Sequence, residues 1–148
     1  MDETVALVRH ISETIAAYYD EERLLLRVKY RGVMTPAVTA EFYGWLVSAI
    51  KAHPEKVGHA RGSIYDFRDV TEVVNSNISS TARQSEQVNQ QIDLHNHPVA
   101  IITRDAVQSA LLTVTMRLSG QQDRKRIVRT EQEAIAFIDA FHQKLASE

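Results

Sequence analysis

In the second half of this sequence, short apolar runs of strand length alternate with longer segments whose apolar residues recur at helical spacing. Polar residues gather where each short run gives way to the next long one. The alternation points to an α/β architecture, because neighbouring parallel strands need a crossover long enough to hold a helix. The most informative stretch runs from Ser63-Ile64-Tyr65-Asp66-Phe67-Arg68-Asp69-Val70 to Asn75-Ser76-Asn77-Ile78. In a small α/β domain, turns of this kind carry the binding edge.

Residues 1–13 hold Val5, Val8 and Ile11 at helical spacing and read as an N-terminal arm or short helix, ahead of one domain over residues 14–148. Ile15 to Tyr19, the charged turn Asp20-Glu21-Glu22, and Leu24, Leu26, Val28 and Tyr30 on one face predict an antiparallel hairpin. Thr35 before Pro36 is a helix start. The helix carries Val38, Phe42, Trp45, Leu46, Ala49 and Ile50 inward and stops near Pro54. A short strand is expected over Ile64 to Phe67. A lightly packed helix follows over Ile78 to Asp93, its thin stripe of Ile78, Ala82, Val88 and Ile92 set among Ser, Gln, Asn and Arg.

Val99-Ala100-Ile101-Ile102 reads as a central strand covered on both faces. Asp105 caps a helix with Val107, Ala110, Leu111, Val114 and Leu118 on one side, ended by Ser119-Gly120. Ile127-Val128 is a last short strand within a basic stretch. Thr130 and Glu133 make a capping box for a helix turning Ala134, Phe137, Ile138 and Phe141 inward. The order β-β-α-β-α-β-α-β-α implies a mixed sheet of about five strands with four main helices.

A chain of 148 residues buries roughly 70% of its unfolded surface without a covalent staple. The sequence contains no cysteine, which excludes disulfides and thiolate chemistry and suits a cytoplasmic setting. The net charge of −2 gives no field that would draw nucleic acid or an anionic membrane. No stretch reaches the ~20 apolar residues of a membrane helix, and the N-terminus lacks a secretory pattern.

The order of elements over about residues 14–145, with the hairpin first and three β-α steps after it, resembles the SpoIIAA-like fold of STAS domains. This is the family of sulfate-transporter and anti-sigma-factor-antagonist modules. In its bacterial antagonists a strand ending in a polar residue is followed, at the start of the next helix, by a phosphorylatable serine. Counting without gaps from Asp66 places Ser76 there, although the usual Asp-Ser-Ser-Gly is replaced by Val74-Asn75-Ser76-Asn77. The histidine before the central strand and Arg129-Thr130-Glu131-Gln132-Glu133-Ala134 before an aromatic helix look more like the stand-alone STAS/SEC14-like branch. The resemblance implies a non-enzymatic regulatory or protein-interaction module, with Ser76, Asn75, Ser79 and Arg83 as partner-binding or phospho-acceptor candidates. Self-association, as a homodimer, is a further expectation.

A second reading comes from charge. Asp66, Arg68 and Asp69 should lie where their strand leaves the sheet, close to Arg104 and Asp105, so that the two arginines could dock a small anionic ligand or serve a cryptic enzyme. The same residues also make ordinary turn caps and counter-ions. Asp93, His95 and His97 alternate as metal ligands can, but without a third strong ligand they predict no metal site. Arg124, Lys125, Arg126 and Arg129 read as charges that protect an edge strand. There is no phosphate loop, nucleophile elbow or zinc helix, and the five glycines are unclustered. No cofactor and no catalytic residue is expected.

Overall fold

The computed structural model describes residues 8–74, 77, 81, 83, 84, 86–88, 96–119 and 122–147. The period-2 segments form a sheet of six strands in chain order: β1 (Arg9–Ile11), β2 (Ile15–Asp20), β3 (Leu25–Met34), β4 (Gly62–Val73), β5 (Val99–Ile102) and β6 (Lys125–Val128). The first three pair antiparallel and the rest parallel. The helical-period segments give α1 (Pro36–Ala52), α2 (Ala106–Ser119) and α3 (Glu131–Ser147). Asn77, Thr81, Arg83, Gln84 and residues 86–88 are helical and make the fourth helix, between β4 and β5. Single 3-10 turns lie at Val57–His59 and Gln122–Arg124.

Strand order equal to chain order means that β3, β4, β5 and β6 each step in the same direction. Right-handed crossovers then put α1, the helical segment and α2 on one face, leaving the other for α3. Register fixes which side chains meet them. Leu26 lies beside Ser63, Ser63 beside Val99 and Val99 beside Lys125, all on the α1 face. Leu25, Ile64, Ala100, Ile102 and Val128 point the other way and pack with Ala134 and Ile138 of α3.

Local chemistry sets the ends of the helices. Thr35 accepts from the Val38 amide ahead of Pro36. The Thr130 hydroxyl accepts from the Glu133 amide at 3.1 Å, while Glu133 accepts from the Arg129 amide at 3.2 Å.

The structure departs from the sequence reading in three places. Residues 9–11 are an edge strand rather than part of an arm or short helix, because Arg9, His10 and Ile11 find open backbone partners along β2. The sheet therefore has six strands. β4 is twelve residues long and continues past Phe67 to Val73, so Asp66, Arg68 and Asp69 sit within the strand. Its pairing with β5 nevertheless ends at Asp66 opposite Ile102. Finally, α2 is rotated from its apolar stripe: Val107 is 81% and Val114 49% exposed, whereas Gln108 and Leu112 are buried. β5, flanked by β4 and β6, is an interior strand as its apolar run predicts.

Candidate functional site

Because β4 outruns β5, the carbonyls on that side of its last residues have no strand beside them, although β3 continues along the other. Gln108 of α2 meets this need: its amide donates to the Phe67 carbonyl at 2.7 Å, and its own carbonyl accepts from the Arg104 amide at 2.7 Å. Arg104 donates to the carbonyls of Arg68 at 2.8 Å and Val70 at 3.0 Å. Asp105 caps α2 through the Gln108 amide at 2.8 Å. Arg68 holds both carboxylate oxygens of Asp66, at 3.0 and 2.8 Å. Burial alone would raise the Asp66 pKa, but these bonds outweigh it and keep the carboxyl below its ordinary range. Asp69 pairs with Lys29 at 3.0 Å. The structure thus gathers Asp66, Arg68, Arg104 and Asp105 at one corner and joins them to one another and to backbone, as a clasp between β4 and α2.

Of the residues proposed for partner binding, Arg83 is helical and exposed, and Asn75, Ser76 and Ser79 lie outside the described residues, as do Asp93 and His95. Glu86 and Gln87 share the exposed side with Arg83. The other side is anchored: Asn77 is buried and accepts from the Thr39 hydroxyl at 2.5 Å, and Val88 is buried too. Among the described residues no group of three metal-ligating side chains occurs. His97 faces Ser63.

Between the sheet, α1 and this helical segment lies a cavity of about 140 Å³. Tyr30, Leu46, Phe67, Ile101 and Leu112 give it mostly apolar walls. Thr39, Asn77 and Thr81 line the end nearest the carboxyl ends of β3 and β4, and Ser63, His97, Arg124 and Lys125 line the end nearest the amino ends of β4, β5 and β6. The period-2 pleat explains how a cation enters such a place: Lys125 shares its face with Val99 and Ser63, while Arg126 turns to the other face, 5.1 Å from the Phe137 ring centre.

This corrects the sequence reading of the basic run. Arg124 is only 4% exposed and donates to the His97 carbonyl at 3.0 Å. Lys125 is half-buried, and desolvation followed by the charge of Arg124 pulls its pKa down to about 8. Desolvation also lowers the pKa of Arg124. The His97 Nε2 and Ser63 Oγ are 2.7 Å apart. Burial first, then Arg124, brings His97 down to about 4, against an opposing hydrogen bond to the Ala60 backbone. His97 is therefore neutral at pH 7. Charge counting alone could not find this end of the cavity, but strand parity at Lys125 and Ile127 could have.

Three solved structures are similar over most of the chain. An uncharacterised protein from the DUF3478 family of Shewanella loihica, described as having a SpoIIAA-like fold, aligns with a TM-score of 0.54 at 14% identity over 88% of this chain and 95% of its own. The fold is SpoIIAA-like. The anti-sigma factor antagonist SpoIIAA in its unphosphorylated form gives 0.54 at 12% identity over 84% of this chain and 97% of its own. An anti-sigma factor antagonist from Mycobacterium paratuberculosis gives 0.56 at 9% identity over 87% and 97%. No family model and no curated protein matches the sequence. In the six-stranded mixed sheet of this SpoIIAA-like chain, β1 lies at the edge, outside the opening hairpin. Among its described residues no helix is long and apolar enough to cross a membrane.

Proposed function

We propose that this SpoIIAA-like protein is a non-enzymatic binding module whose primary ligand is a small molecule held in the cavity beneath α1 and the helical segment. The supporting observation is the cavity itself: about 140 Å³ of mainly apolar space whose lining includes a few polar side chains, among them Thr39, Asn77, Ser63 and His97, the arrangement that orients a bound molecule. This moves the small-molecule reading from the clasp at Asp66 and Arg104 to the interior. A catalytic role is disfavoured by charge. A hydroxyl nucleophile at Ser63 would require His97 to gain a proton, and both burial and Arg124 oppose that imidazolium.

Titration with toluene, followed by NMR of methyl groups on Leu46, Val88 and Ile101, tests the reading. Saturable shifts at these three positions are expected. Shifts confined to exposed methyls such as those of Val107 and Val114 would exclude it.

The likeness in fold to two anti-sigma factor antagonists favours a second reading, regulation of a protein partner. Its surface would include the exposed side of the helical segment at Arg83, Glu86 and Gln87, and Ser76 and Asn75, which lie outside the described residues, are its candidates from the sequence. The two readings share one element, since Asn77, Thr81 and Val88 line the cavity from within. Arg83→Glu and Ser76→Asp variants should fold normally and change recovery of a captured partner. Unchanged recovery by both would remove this surface from consideration.

A further inference from the structure

We propose that the cavity's ligand is a compact uncharged carbonyl compound, a ketone or ester, whose oxygen accepts a hydrogen bond from the Tyr30 hydroxyl while its hydrocarbon part lies against the apolar walls at Leu46 and Ile101. The inference rests on the cavity reading above and adds to it the functional group and size of the ligand.

Tyr30 is only 5% exposed, and its ring lies 5.8, 6.4 and 5.0 Å from those of Phe42, Tyr65 and Phe67. A buried tyrosine hydroxyl ordinarily finds a partner, yet this one makes no hydrogen bond to any described residue. Every polar side-chain atom sealed in the described interior does have a partner, so the Tyr30 oxygen is not sealed and borders open space. The cavity is that space. Tyr30 lines it, and so do Tyr65 and Tyr43, the side chains that act on the Tyr30 hydroxyl most strongly after burial itself. Burial raises the Tyr30 pKa well above the ordinary tyrosine value, so the group stays an O–H donor at neutral pH. Asn77, 4% exposed, supplies a second open donor: its side-chain oxygen is taken by the Thr39 hydroxyl, and its amide nitrogen bonds no described residue. Both donors are neutral, and a hydroxyl enclosed by aromatic rings offsets too little of the desolvation of an ion. A carbonyl oxygen accepts without bringing a donor that needs a partner of its own. Size limits the remainder. A dry cavity of roughly 150 Å³ accepts benzene, so about 140 Å³ here admits one ring or a short branched chain. Long acyl chains and nucleotides require a far larger site.

The test titrates the full chain with cyclohexanone and with methylenecyclohexane, a hydrocarbon of the same shape, following the methyl groups of Leu46, Val88 and Ile101 by NMR. The hydrocarbon measures what burial alone contributes, so the diagnostic is how each probe responds to Tyr30→Phe, which removes only the oxygen. The variant should bind cyclohexanone about threefold to tenfold more weakly, the worth of one neutral hydrogen bond, and methylenecyclohexane as before. Its denaturant midpoint without ligand should stay level or rise, since no described residue loses a partner. A marked fall in that midpoint would show that the hydroxyl is bonded within the fold and would overturn the assignment. Equal cyclohexanone affinity in the two proteins would also overturn it and, with the methyl shifts retained, leave the cavity reading standing. Failure of both probes and of toluene to shift the interior methyls would remove the two together.

Discussion

The Ser63 hydroxyl and the His97 Nε2 lie 2.7 Å apart inside the protein. The imidazole also has a hydrogen bond to the Ala60 backbone. A neutral imidazole held this way makes stability depend on pH. Its folded pKa of about 4 lies below the ordinary 6.5, so as pH falls through 6.5 the unfolded chain takes up the proton first. Stability from this group is complete above about pH 6.5 and disappears as the pH approaches 4, an upper bound of about 3 kcal/mol. Urea unfolding at steps from pH 7.5 to 4 should show this loss, and His97→Gln should flatten the pH profile in that window. An unchanged slope in the variant would place the acid sensitivity elsewhere.

Gln108 and Val107 are neighbours on α2 with opposite fates, and their substitution tests the rotation of the helix. Gln108→Leu leaves the Phe67 carbonyl and the Arg104 amide without their partners and should cost about 2–3 kcal/mol, although leucine is the more apolar residue. Val107→Ser, at an exposed position, should stay within about 0.5 kcal/mol. Denaturant midpoints measure both. The reverse ranking would mean that α2 faces the sheet through its valine stripe.

Gly62 opens β4 where a side chain has no room. A Cβ there would come 2.9 Å from the Pro98 carbonyl oxygen and 3.2 Å from two carbons of Ile138. Gly62→Ala should therefore force β4 away from either the Pro98 backbone or α3 and destabilise by about 1–3 kcal/mol. Thermal unfolding is a sufficient readout, and a neutral effect would show that the α3 side of the sheet is loosely packed.

The parts of the fold legible in the sequence are those governed by local rules. The hairpin follows from alternation at Ile15 to Tyr30, the caps at Thr35 and Thr130 from their side chains, and the interior position of β5 from an unbroken apolar run. The SpoIIAA-like order of elements follows from these together. The rest depended on contacts distant in the chain. The end of β4 is mostly polar, with Arg68, Asp69, Thr71 and Glu72 exposed, so it gives no burial signal; it is strand because β3 continues beside it. The orientation of α2 is decided by open carbonyls on β4, which no hydrophobic count on α2 can register. At the candidate site the charges of Asp66, Arg68, Arg104 and Asp105 were visible, but not that they satisfy one another. Lys125 looked like a solvated edge charge until its register with Val99 and Ser63 was known.

Ile101 allows a test of the cavity independent of any ligand. It is half-buried at the middle of β5 and lines the space between Leu112 and Lys125 from the sheet side. In a close-packed core, Ile101→Phe would overfill the site and cost about 1–3 kcal/mol. Where empty volume exists, the added carbons gain contacts that the cavity wall lacks, and residual cavity volume carries roughly 24 cal/mol per Å³. Filling a few tens of Å³ should then hold stability level or raise it by about 1 kcal/mol. The same variant should lose its toluene response, since the ring would occupy the space the probe enters. Urea unfolding paired with the toluene titration separates the cases. Marked destabilisation, or full toluene binding in the filled variant, would place the binding volume away from Ile101.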